Sequence, residues 1–225
     1  YIANGAEPWR IPLVSDLEKI EIRQPGPAES FQPYERDDNL VRRWATPGMK
    51  GYEHRIGGLE KQDVTGNVSY DQENHQKMTE LRRDKVAKIG ETLPALEPHG
   101  DRSGDLLVLG WGGTYGSIYT AVERARADGK RVSSAHLRYL NPMPKNLGEV
   151  VKRFDKVLVP ELNTGQLRLL IRGKFLVDAR GLNKVQGRPF LVEEIEQAID
   201  LMLDDRFGDR EFLVPHNHEV SLDRQ

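Results

Sequence analysis

One run near the middle of the chain, Leu106-Leu-Val-Leu-Gly-Trp-Gly-Gly-Thr-Tyr-Gly116, limits most strongly what this sequence can fold into. Leu106–Leu109 is a short, unbroken apolar segment, the signature of a strand buried on both faces. The glycines break that pattern, and Ile118, Ala121, Val122 and Ala125 follow at the i, i+3, i+4, i+7 spacing of an amphipathic helix. A strand, a glycine turn and a helix in succession open an α/β unit. Such a turn lies where these units hold a ligand or meet another domain.

The same texture continues downstream. Asp128-Gly129 stops the first helix, and Arg131–Leu140 reads as a second strand ended by Asn141-Pro142-Met143-Pro144. Leu147, Val150, Val151 and Phe154 repeat the helical spacing, and Lys156–Pro160 reads as a third strand followed by Glu161-Leu-Asn-Thr-Gly165. A helix over Gln166–Lys174, one or two short strands across Phe175–Phe190, and a helix over Val192–Leu203 complete the pattern. Strands alternating with helices predict an α/β domain over residues 105–203, with helices on both faces of a mostly parallel sheet of about five strands. Residues 204–225 read as a polar tail.

Residues 1–100 differ, holding 8 of the 13 prolines. Proline blocks helix interiors and sheet ladders, so an extended, irregular segment that wraps over a partner surface or a preceding domain is expected. One helix is predicted, opened by the capping-box spacing of Ser69 and Gln72 and running to about Lys88 with Met78, Leu81 and Ile89 on one face. The chain begins at Tyr1 in sequence that reads as structured, so a fragment of a longer protein is expected.

Composition removes several function classes. A net charge of −2 gives no electrostatic reason to expect nucleic acid or an anionic membrane as partner. No apolar run approaches the ~18 residues of a membrane span, no signal peptide opens the chain, and a cytoplasmic location is expected. The chain has no cysteine, which removes disulfides, a cysteine nucleophile and thiolate ligands for an iron–sulfur cluster.

The candidate residues are few. In Gly110-x-Gly112-Gly113-x-x-Gly116, Tyr115 stands where a dinucleotide loop requires glycine. The following strand also lacks an acidic residue for a ribose. Two readings remain for Gly112, Gly113 and Thr114: backbone N–H groups hold an anion, or small residues let the turn lie against another domain or subunit. Asn163 is a candidate at the next strand end, as a ligand contact or a helix cap, and Arg188 as an anion clamp or a surface salt bridge. In the first half, His54 is a candidate proton carrier and Arg55 an anion clamp. His75 reads as a surface residue, His99 and His136 carry no signal, and His216 and His218 lack a third metal ligand. No P-loop, G-x-S-x-G or H-E-x-x-H occurs.

Taken in order, Tyr1-Ile-Ala-Asn-Gly-Ala-Glu-Pro-Trp9, Pro33-Tyr-Glu-Arg-Asp37, His54-Arg-Ile-Gly-Gly-Leu-Glu60, Gly66-Asn-Val-Ser-Tyr-Asp71, Leu109–Gly116, His136-Leu-Arg-Tyr-Leu-Asn-Pro142 and Pro160-Glu-Leu-Asn-Thr-Gly-Gln-Leu167 form a series. Over residues 1–203 it resembles the C-terminal part of the α subunit of 2-oxoacid:ferredoxin oxidoreductases, most closely the 2-oxoglutarate type. The resemblance implies that residues 1–9 end a thiamine-pyrimidine domain and 10–104 form a connector. It also implies that 105–203 form a three-layer α/β/α domain like the C-terminal domain of transketolase. It implies oxidative decarboxylation of 2-oxoglutarate with coenzyme A and ferredoxin, in a complex with a β subunit. Thiamine diphosphate, magnesium and the iron–sulfur cluster would be bound mainly by that subunit or by upstream domains, and none by this segment alone. The segment's expected role is then subunit assembly, with the connector near the active site and coenzyme A contact unassigned. The runner-up is a free-standing α/β module using the Gly112–Gly116 turn for an anionic ligand.

Overall fold

The strand run at Leu106 becomes β1 (Gly104–Trp111) in the computed structural model, which is described for residues 12–208. Leu106, Leu107, Val108 and Leu109 are all fully buried. Alternation sends Leu106 and Val108 to one face and Leu107 and Leu109 to the other, so each face of β1 joins a separate apolar cluster. Each such side chain contributes about 2 kcal/mol on burial, which is why a strand this apolar settles at the centre of a sheet.

The elements from β1 onward are α2 (Tyr115–Ala127), β2 (Val132–Leu137), α3 (Leu147–Lys152), β3 (Phe154–Glu161), α4 (Gln166–Phe175), β4 (Ala179–Asn183) and α5 (Val192–Leu203). The strands form one parallel sheet in the order β2-β1-β3-β4. Residues Leu106 to Trp111 pair in register with Val132 to Leu137, and Val157 to Glu161 with Ala179 to Asn183. Helices α2 and α5 cover one face, packing Ile118, Val122, Ile195 and Ile199 over Leu106, Val108 and Leu158. Helices α3 and α4 cover the other with Leu147, Val151, Leu167 and Ile171. The expected three-layer parallel α/β architecture is therefore present.

Several details differ from expectation. The sheet has four strands, because only Ala179–Asn183 of the Phe175–Phe190 stretch pairs. The second strand stops at Leu137, short of Leu140. Phe154, which continues the helical spacing of Leu147, is the first residue of β3 and is buried under α3, so the same apolar residue serves the core from a different element.

The chain divides into two units between Lys85 and Val86. Before Gln72, the described part of the first unit is irregular. It has single-turn helices at Val14–Asp16 and Ala28–Ser30 and isolated pairings such as Tyr34 with Val64 and Lys61 with Val68. Ion pairs organise it: Asp63 is held by Arg36 at 2.6 Å and Lys77 at 2.7 Å. The division falls within α1 (Gln72–Ile89), where the expected helix is found with Met78 buried. Its cap is a correction: the Asp71 carboxylate accepts the Asn74 N–H at 2.7 Å, while the Ser69 hydroxyl bonds the Asp71 N–H instead. The Asp71 side chain, adjacent to the first turn, also places negative charge at the helix start. The end of the preceding domain expected at residues 1–9 lies outside the described residues.

Candidate functional site

β1 and β3 are neighbours whose following helices leave on opposite faces of the sheet. The chain therefore parts between their carboxyl ends, at the position where open parallel sheets hold ligands. Glu161, the last residue of β3, sits there with 0% exposure. A carboxylate can be buried only if its oxygens are well supplied with donors. Oε1 accepts the Leu167 N–H at 2.8 Å, the Trp111 indole N–H at 3.2 Å and the Asn163 side-chain amide at 3.2 Å. Oε2 accepts the Arg168 N–H at 3.0 Å.

Leu167 and Arg168 belong to the first turn of α4, so Glu161 places its charge on the positive end of that helix. Asn163 completes the cap, its Oδ1 accepting the N–H groups of Gly165 at 2.7 Å and Gln166 at 3.3 Å. The amides that would face a phosphate in a nucleotide-binding unit are occupied by the chain's own carboxylate and side-chain amide.

On the β1 side, Gly112–Thr114 form a single helical turn leading into α2. The Thr114 hydroxyl is engaged by Trp111, donating to its carbonyl at 2.9 Å and accepting its N–H at 3.3 Å. Gly112 has a φ of +59°, a conformation that favours glycine. Gly110 is required by packing, since a Cβ there would lie 2.4 Å from Ile118 Cδ1. Gly113 is different: a Cβ on it would meet no atom within 4 Å, so no described part of the chain requires it to be small. The His136 ring on β2 bonds the Gly112 backbone. Burial first, and then the nearby Arg138 charge, hold the His136 pKa below 6.5 against the opposing Gly112 bond.

The structure thus brings Gly112, Gly113, Thr114 and Asn163 to the carboxyl edge of one sheet. Arg188 is exposed on the loop after β4, with its Nε 3.3 Å from Gln186. The buried cation of that loop is Lys184, 1% exposed at its side chain, which bonds both Glu194 oxygens at 2.9 and 2.8 Å and the Pro189 carbonyl at 3.0 Å. That pair ties the loop to the start of α5. His54 and Arg55 lie in the first unit, where His54 Nδ1 is 2.8 Å from the Tyr52 carbonyl and its ring meets Phe31 edge-on. His75 is a surface residue paired with Glu60 at 2.7 Å. His216 and His218 lie outside the described residues.

Sequence reasoning passed over Glu161, Trp111 and Lys184. A strand-ending glutamate followed at six and seven residues by the first turn of a helix was the available signal for Glu161.

The pyruvate:ferredoxin oxidoreductase core domain II model matches residues 104–195. The chain is 50% identical over 214 residues to the 2-oxoglutarate oxidoreductase subunit KorA of Mycobacterium tuberculosis, covering 93% of this chain and 32% of that protein. It belongs to the α subunits of the 2-oxoacid:ferredoxin oxidoreductases.

An α subunit of this family from Aeropyrum pernix is 30% identical over 189 residues, covering 80% of this chain and 29% of that one. Among solved structures, a 2-oxoglutarate:ferredoxin oxidoreductase from Magnetococcus marinus superimposes with a TM-score of 0.77 at 26% identity, over 85% of this chain and 34% of that one. That enzyme was solved with 2-oxoglutarate, coenzyme A and succinyl-CoA bound. The chain spans about a third of the length of these α-subunit relatives.

The ligating side chains of this segment are limited. It contains no cysteine to ligate an iron–sulfur cluster. Among the described residues no cluster of His, Asp and Glu is placed to hold a metal ion. The one fully buried carboxylate at the crevice, Glu161, already accepts four hydrogen bonds from its own chain. No helix among the described residues is long and apolar enough to cross a membrane.

Proposed function

We propose that this chain is one section of the α subunit of a thiamine-diphosphate-dependent oxidoreductase. That enzyme would convert 2-oxoglutarate and coenzyme A to succinyl-CoA and CO2 while reducing ferredoxin. The observation that carries this reading is the 50% identity to a 2-oxoglutarate oxidoreductase subunit over nearly the whole chain. In this reading residues 1–9 finish a thiamine-pyrimidine domain, 10–104 connect, 105–203 form the assembly domain and 204–225 a tail. The cofactors are held by a β subunit or by other α-subunit domains.

Within the enzyme, the α/β unit builds and holds the assembly while bond-breaking is done elsewhere. Glu161 supports this, because a carboxylate with 0% exposure that is held by four donors of its own chain has no access to a substrate. The open turn at Gly113 supports it too, as a surface on which another domain or subunit can approach the backbone closely. His54 and Arg55 belong to the connector, where we assign them as groups near the active site, and Arg188 lies on the assembly surface. The free-standing anion-binding module gains no support from the relatives and is not retained.

The test is reconstitution. An α subunit containing this segment, co-expressed with its β subunit, should reduce ferredoxin only when 2-oxoglutarate and coenzyme A are both present. Ferredoxin reduction with pyruvate and none with 2-oxoglutarate would overturn the substrate assignment. No assembly with the β subunit would overturn the reading as a whole.

A further inference from the structure

A cleft of about 400 Å³ opens between α2 and the outer strand β2, away from the crevice between β1 and β3. Its wall is a ladder of four rings. His99 lies 4.6 Å from Tyr119, Tyr119 lies 5.8 Å from Tyr115, and Tyr115 meets His136 edge-on at 5.1 Å. The rings brace one another and stay open to solvent, with Tyr115 54% exposed. His99 is further pinned by Glu123 at 2.8 Å and His136 by the Gly112 backbone. The wall is therefore assembled before any ligand arrives.

Three polar features of the cleft have no partner among the described residues. The first is the hydroxyl of Ser134, a residue only 6% exposed that lines the cleft. The second is the outer edge of β2 at His136. Ser134 exchanges both backbone bonds with His99, at 2.7 and 3.0 Å, and the two-residue alternation turns the N–H and C=O of His136 to that same open side. The third is the guanidinium of Arg138, which lines the cleft without a carboxylate partner, whereas Glu97 at the rim faces Arg102 at 3.7 Å.

Aromatic faces, an adjacent backbone donor and acceptor, a hydroxyl and a free cation are the groups that hold a purine nucleotide. The rings stack on the base, the His136 edge reads its hydrogen-bonding side, and the arginine takes the phosphate. An added peptide strand fits less well, because such pairing needs a run of open edge groups and β2 ends one residue beyond His136. The volume matches a small-molecule pocket. We propose that the cleft bounded by Tyr115, Tyr119, His99, Ser134, His136 and Arg138 binds a purine nucleotide, either free or as the nucleotide end of a coenzyme. This does not rest on the oxidoreductase reading, and its failure would leave that reading intact.

Calorimetric titration of the 225-residue chain with AMP, coenzyme A, adenosine and inorganic phosphate in separate arms tests it. AMP should bind saturably. Arg138→Gln should weaken AMP by about tenfold or more while leaving adenosine nearly unchanged. Tyr115→Ala should weaken both. Arg138 and Tyr115 are exposed, so both variants should keep the wild-type melting curve. Coenzyme A that competes with AMP identifies the coenzyme as a source, and AMP binding without competition identifies a free nucleotide. The proposal is overturned if neither AMP nor coenzyme A binds, if phosphate alone binds as tightly as AMP, or if both variants bind like wild type.

Discussion

Replacing Glu161 by glutamine changes one atom and should cost more than most surface changes of any size. The carboxylate is fully buried and uses both oxygens: three donors converge on Oε1 and the Arg168 amide reaches Oε2. An amide with its oxygen at the Oε1 position keeps three bonds and turns an NH2 group against the Arg168 N–H. One buried donor is then unsatisfied, at a cost of about 1–3 kcal/mol. Loss of the negative charge at the start of α4 adds about 0.3–1 kcal/mol, and more in a buried setting. We expect a loss of about 2–4 kcal/mol for Glu161→Gln, and a larger one for Glu161→Ala, which orphans all four donors. Urea unfolding followed by far-ultraviolet circular dichroism measures this through the midpoint at constant slope. A change for Glu161→Gln below about 0.5 kcal/mol, the size of an ordinary surface substitution, would refute the role given to this carboxylate.

Three further outcomes are expected. Gly110→Ala should cost about 1–3 kcal/mol through overpacking against Ile118, whereas Gly113→Ala, with open space at its Cβ, should be nearly neutral in the same melts. Lys184→Ala leaves the Glu194 charge buried and should cost about 3–5 kcal/mol, while pairing Lys184→Met with Glu194→Leu should recover most of that loss in a double-mutant cycle. Because folding lowers the His136 pKa from 6.5, the unfolded chain binds the proton more readily. Its contribution to stability is present above pH 6.5 and is lost as pH falls toward the folded value. A His136 NMR titration midpoint at or above 6.5 would contradict this.

Where local pattern and tertiary role coincide, the sequence is readable. Leu106–Leu109 can only be a strand buried on both faces, and the spacing of Ile118 to Ala125 is satisfied by the one face of α2 that meets the sheet. Phe154 shows the limit: its spacing continues a helix, and its neighbours across the sheet make it the start of a strand instead. Asn163 is readable as a cap because its partners are two and three residues away. Glu161 is not, because the indole that completes its site lies 50 residues upstream on another strand. The ring ladder from His99 to His136 is hidden for the same reason. Its members come from a loop, a helix and a strand, and each alone looks like an ordinary surface residue.

The proposed assembly role of the α/β unit is tested most directly at Gly113. In an α subunit carrying Gly113→Val, co-expressed with the β subunit, sedimentation gives the fraction assembled and 2-oxoglutarate-dependent ferredoxin reduction gives turnover per assembled complex. We predict at least about a tenfold weaker association with unchanged turnover in the complex that forms. Wild-type assembly with turnover reduced to the same degree would contradict it and place the turn in the chemistry.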